Sequence, residues 1–169
     1  MFLHGDPKLT GDDRAVAIIE ATNLEASLED AIKTKFTDLD DNDHSNVFES
    51  DGPLASFSSK IRIGYALGVY GKHTRDDLNA IREIRNAFAH ARKALLFNTK
   101  EITDVCDLLT VIGRTPSLTE FAGIKLPPVT PRENFIASTN LIQNALGQVY
   151  LKSIDLNFGD EYPAPAPLD

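Results

Sequence analysis

The chain is poor in several things that carry well-known functions. It has one cysteine, Cys106, in 169 residues. A single thiol excludes an internal disulfide and fits a reducing compartment. In the amphipathic stretch Ile102–Cys106 it reads as a small core residue. No segment approaches the roughly 20 consecutive apolar residues of a membrane span. The start, Met-Phe-Leu-His-Gly-Asp-Pro, is too short and polar for a signal peptide. A cytoplasmic location is therefore expected.

Basic residues are also scarce. Lys and Arg number 17 against 25 Asp and Glu, giving a net charge of -8 and a pI of about 4.9. Affinity for a phosphate backbone comes mainly from Lys and Arg, so the overall field is unfavourable for nucleic acid. The basic clusters Lys60-Ile-Arg62 and Arg92-Lys93 are short. No helix-turn-helix is legible, and direct DNA binding is not expected. There is no Gly-rich phosphate loop after a strand, no nucleophile elbow and no defensible pair of catalytic carboxylates. The histidines 4, 44, 73 and 90 lie at no helical metal-ligand spacing. Asp38-x-Asp40-x-Asn42 … Glu49 approaches a calcium loop, but Asp43 stands where the turn needs Gly. No metal and no cofactor are expected.

What the chain does have is helical periodicity, without strand alternation or internal repeats. The pattern predicts an all-α, single-domain bundle of about five helices, mostly up-and-down, over residues 1–158. A Pro/Ala-rich disordered tail is expected over 159–169. The first helix runs from about Asp12 to Phe36, followed by an acidic loop from Thr37 to Gly52. The second runs from Ser56 to Tyr70, with Gly71 as its C′ residue. Gly64 and Gly68 lie one turn apart on it, which suggests close packing of another backbone. The third runs from Thr74, capped with Asp77, to near His90. The fourth starts after Asn98, with Glu101 at the capping-box position, and reaches about Val111. Gly113 to Thr130 reads as a connection with a helical turn near Ser117–Phe121. Thr130-Pro131-x-Glu133 is a clear start for the fifth helix, which ends near Asp155.

Two charges sit on apolar stripes. At about 100° per residue, Arg85 falls between Leu78 and the Ile81, Ile84 and Phe88 positions. Glu25 falls inside the stripe of the first helix. A buried charge needs a partner, so Glu25 and Arg85 are expected to pair across the two helices. An alternative use is chemical. Arg85, Asn86 and His90 could serve metal-free RNA cleavage, with His90 as acid or base and Arg85 on the phosphate. On one continuous helix, however, Arg85 and His90 point about 140° apart.

Two motifs carry a resemblance. Gly52-Pro-Leu-Ala-Ser-Phe-Ser-Ser-Lys-Ile-Arg-Ile-Gly-Tyr-Ala-Leu-Gly68 and Asp77-Leu-Asn-Ala-Ile-Arg-Glu-Ile-Arg-Asn-Ala-Phe-Ala-His90, followed by Phe97 and Ile102–Cys106, resemble the mannitol operon repressor family. The resemblance runs from about Asp13 to Leu109. It implies a helical bundle and a regulator of transcription of a sugar-alcohol operon. With no DNA-reading motif, such a repressor would act through a protein partner. A homodimer is expected, with the Gly64/Gly68 face and the seam of the fifth helix as contact surfaces. The Arg85-Asn86-x-x-x-His90 core is also similar to the HEPN superfamily, which includes ribonucleases whose site forms between two subunits. RNA is a partner only under that alternative.

Overall fold

The computed structural model describes residues 12–115, 130–154 and 168. These residues form six helices and no strand: α1 (Asp13–Lys33), α2 (Asp41–Phe48), α3 (Phe57–Ala66), α4 (Lys72–His90), α5 (Lys100–Cys106) and α6 (Pro131–Ser153). The all-α expectation holds. The predicted turn near residues 117–121 lies outside the described residues. So does the 159–169 tail apart from Leu168, which packs against the core and whose carbonyl accepts the Gly71 N–H.

The bundle is built on α1, α4 and α6. Asp12 caps α1 by accepting from the Arg14 N–H at 3.4 Å, and Asp13 adds a charge that the N-terminal dipole favours. The buried stripe of α1 runs Ala17, Ala21, Leu24, Leu28, Ala31 and Ile32. Arg132 in the first turn of α6 meets Asp13 at 3.4 Å, so α1 and α6 begin at the same end. Arg14 reaches the carbonyls of Ala89 and Ala91, so α4 ends where α1 begins. The core centres on Phe88, Phe97 and Phe135. Their ring centroids lie 4.9 and 5.2 Å apart in tilted pairs, within the favoured range for aromatic contacts. The three rings lock α4, the loop after it and α6 together.

The start of α6 forms as predicted. Thr130 Oγ1 accepts from the Glu133 N–H at 3.2 Å, and Glu133 Oε2 accepts from the Thr130 N–H at 2.9 Å.

Other expectations are corrected. The acidic loop contains α2, capped by Asp40, whose side chain accepts from the Asp43 N–H at 2.9 Å. Only Phe48 of α2 is buried, so the helix carries no apolar periodicity to read. The calcium-like residues Asp40 and Asn42 are the cap and second residue of this helix. Among the described residues no group of three or more His, Cys, Asp or Glu could hold a metal.

Helix α3 stops at Ala66, four residues short of expectation. Gly68, at φ 67°, is its C′ residue. The Gly68 N–H donates to Tyr65 O at 3.1 Å and the Val69 N–H to Gly64 O at 3.0 Å, a Schellman closure. Gly71 instead opens α4 as its N-cap. Gly64 and Gly68 thus do different work, and among the described residues no backbone of another helix is the nearest neighbour of either. A Cβ on Gly64 would lie 2.9 Å from the Tyr70 ring, whereas one on Gly68 would meet nothing within 4 Å. Tyr70 folds back over α3 and donates its hydroxyl to Ile61 O at 2.6 Å. Burial pushes the Tyr70 phenol well above its ordinary range. Helix α5 is capped at Thr99, not Asn98, and ends at Cys106 rather than Val111.

Candidate functional site

The Glu25–Arg85 pair does not form. Glu25 accepts from Lys60 Nζ at 3.0 Å, and the same ammonium meets Glu29 Oε2 at 3.0 Å. Lys60 is 6% exposed. Its aliphatic stem is buried between α3 and α1 while its head bridges two carboxylates one turn apart. A helical wheel places Glu25 on the buried arc but does not say which neighbour faces it. That neighbour is α3. The signal was present: Glu25 and Glu29 are spaced i,i+4, and Lys60 sits between the apolar Phe57 and Ile61. Burial opposes the charge on Glu29, but the bonds and charges of Lys33 and Lys60 outweigh it and hold its pKa below the ordinary value. Burial likewise disfavours the Lys60 ammonium. Glu25 and Glu29 outweigh it and raise the Lys60 pKa.

A second buried charge, Asp77, does not form the expected cap with Thr74. Asp77 is 1% exposed. Its carboxylate accepts from the Thr110 N–H at 2.8 Å and from Arg114 Nη2 at 2.8 Å. It therefore ties the turn after α5 to α4, where the sequence suggested a bond to Thr74. Thr74 is itself fully buried, with no hydrogen bond to its hydroxyl.

Arg85 is half-buried, and its Nη1 donates to Asn86 Oδ1 at 3.1 Å. His90 is the last residue of α4 and is exposed. Because α4 is unbroken through His90, Arg85 and His90 lie about 140° apart around its axis. Asn86 and His90 share a face at i,i+4 spacing. The carbonyls at the end of α4 are capped from another helix. Arg14 donates to Ala89 O at 2.9 Å and to Ala91 O at 3.5 Å. His90 is left free of that role.

The outward face of α4 carries a cavity of about 430 Å³. His73, Asp76, Asn79, Arg82 and Glu83 form its α4 wall, and Leu108 and Thr110 the opposite wall. Arg82 Nε is inaccessible and lacks a hydrogen-bond partner. Cys106 is fully buried, and burial pushes its thiol up to about 12, so it stays protonated and unreactive. Among the described residues no helix is long and apolar enough to cross a membrane.

Comparison with known proteins places this geometry. Residues 44–125 match the family described as mannitol repressor. No curated protein matches the chain. Among solved structures, the chain is similar to the one described as the X-ray structure of the MtlR–HPr complex from Escherichia coli. The TM-score is 0.61 at 16% identity, covering 86% of this chain and 94% of that one. At that identity the likeness is one of fold. The matched segment spans α3, α4, α5 and most of α2, including both Lys60 and the Arg85-Asn86-x-x-x-His90 run. Over those residues the chain is similar to the mannitol repressor family, and its fold is like that of the MtlR–HPr complex structure.

Proposed function

We propose that this protein is a mannitol-repressor-like regulator of transcription that works through protein contacts and does not read DNA itself. The observation that carries this reading is the fold it shares with a protein solved in complex with HPr. The net charge of -8 supports it, because DNA binding by the chain alone would work against its field. HPr, or a protein that presents the same surface, is the partner. The protein acts as a homodimer in the cytoplasm. Two experiments test this. Mixed with HPr from the same genome, the purified chain co-elutes as a complex. With operator DNA alone at physiological salt it gives no specific shift. A tight, sequence-specific shift by the protein alone overturns the reading.

A second reading is favoured by one observation. Among the described residues Arg85 has no carboxylate partner and lies beside Asn86, while His90 is exposed at the C-terminal end of α4. These are the groups a metal-independent ribonuclease would use, with a second subunit supplying the missing alignment. Incubation with RNA in chelator compares the wild type with His90→Ala. Equal cleavage by both, or by neither, removes this reading.

A further inference from the structure

Arg92-Lys93 is a short basic pair in the sequence, and neither reading above uses it. The fold adds a third cation from far along the chain. Arg14, in the first turn of α1, lines a cavity of about 270 Å³ together with Asp12, Phe88 and the loop after α4, which contributes Arg92, Lys93 and Ala94 to Leu96. The Arg14 guanidinium is fixed at that place, because Nη2 donates to Ala89 O at 2.9 Å and Nη1 to Ala91 O at 3.5 Å. Its other N–H groups stay available. Arg92 and Lys93 are exposed. Among the described residues, none of these three cations meets a carboxylate, whereas Lys33, Lys60, Arg75, Lys100, Arg114 and Arg132 each do. The neighbouring Asp13 is engaged by Arg132 and by the Phe97 N–H at 2.9 Å.

Arg14, Arg92 and Lys93 against Asp12 leave the lining positive, inside a chain whose net charge is -8. Cations held close together repel, and an anion between them relieves the repulsion. A phosphate monoester suits this place. It carries nearly two negative charges and three acceptor oxygens that face different ways, and the cations arrive from two separate segments. A carboxylate brings one charge and accepts in one plane. Single-stranded nucleic acid brings one charge per phosphate and calls for aromatic rings on which bases stack. The ring in this lining, Phe88, is 0% exposed and offers no such face. The volume equals the share of about nine water molecules, so a phosphate group leaves room for a small attached body. Ala94, Leu95 and Leu96 make that part of the lining apolar. We propose that this pocket binds a small phosphate monoester, with Arg14, Arg92 and Lys93 on the phosphate and Leu95 and Leu96 against its apolar body. The site stands apart from HPr binding, which is measured separately.

Phosphorus NMR of phenyl phosphate titrated with the full chain tests it, in sodium acetate at fixed ionic strength so that carboxylate is always in excess. The expected result is a saturable shift, with weaker binding of inorganic phosphate, which lacks the apolar body. Arg92→Ala and Lys93→Ala change exposed loop residues, so the fold is retained and can be checked by circular dichroism. Each weakens binding about tenfold or more, the loss expected for one hydrogen bond to a charged group. Lys152→Ala, at the other end of α6 from Arg132, leaves the affinity unchanged. Absence of saturable phenyl phosphate binding in acetate overturns the inference. So does unchanged affinity in both Arg92→Ala and Lys93→Ala. Binding of a single-stranded RNA oligonucleotide without binding of phenyl phosphate overturns it too, and hands the pocket to the ribonuclease reading.

Discussion

At the level of single residues, Lys60 is the buried cation that ties α3 to α1. It satisfies two carboxylates on α1 from a position 6% exposed. Lys60→Ala leaves Glu25 and Glu29 facing each other and is expected to cost about 2–3 kcal/mol by chemical denaturation. Lys60→Met, which restores the buried stem, costs less. The pH dependence follows from the directions of the shifts. The Glu29 pKa is depressed from 4.5, so its contribution is complete above that value and is lost as pH falls through the lowered pKa. The Lys60 pKa is raised from 10.5, so its contribution is complete below that value and is lost as pH rises through the raised pKa. Stability from this cluster is thus flat between those limits, and Glu29→Gln flattens the acid arm of a Tm-against-pH curve. An acid arm unchanged in Glu29→Gln would remove Glu29 from that role. From sequence, Glu25 was legible as a buried charge needing a cation. The choice of cation was not, because helical phase fixes a direction and not the helix that lies there. Asp77 was misread for a related reason: its spacing from Thr74 suited a cap, while its real partners Thr110 and Arg114 lie more than thirty residues on.

At the level of elements, legibility followed the strength of local chemistry. The Thr130-Pro131-x-Glu133 box specified the start of α6 because each residue satisfies a backbone need within one turn. Thr130→Ala is expected to cost about 1 kcal/mol, a drop in Tm of about 2–4 °C for a protein this size. Helix α2 is not legible in the sequence because Phe48 is its one buried residue. The glycines of α3 separate cleanly. Gly68→Ala forces a left-handed φ of 67° on an L residue, at a cost of about 1–2 kcal/mol. Gly64→Ala drives a methyl into the Tyr70 ring, and overpacking of that kind costs about 1–3 kcal/mol. Tyr70→Leu should relieve the second and leave the first unchanged. Equal effects of Tyr70→Leu on both variants would contradict the division of roles.

For the whole molecule, the fold class was the most legible property. Fold class follows from helical periodicity spread over many residues, so errors of a few residues at α1, α3 and α5 do not disturb it. The motifs around Lys60 and Arg85 carried the resemblance to the mannitol repressor family, and both lie in the segment that matches its model. The cavity on α4 was not legible, because the residues that line it come from two separated segments and only the turn tied by Asp77 brings them together. The central claim is that this acidic bundle works by holding another protein. Calorimetric titration with HPr from the same genome tests it most directly. The account predicts saturable binding with a fixed stoichiometry of one HPr per chain. The absence of any saturable heat, with both proteins folded, would contradict it.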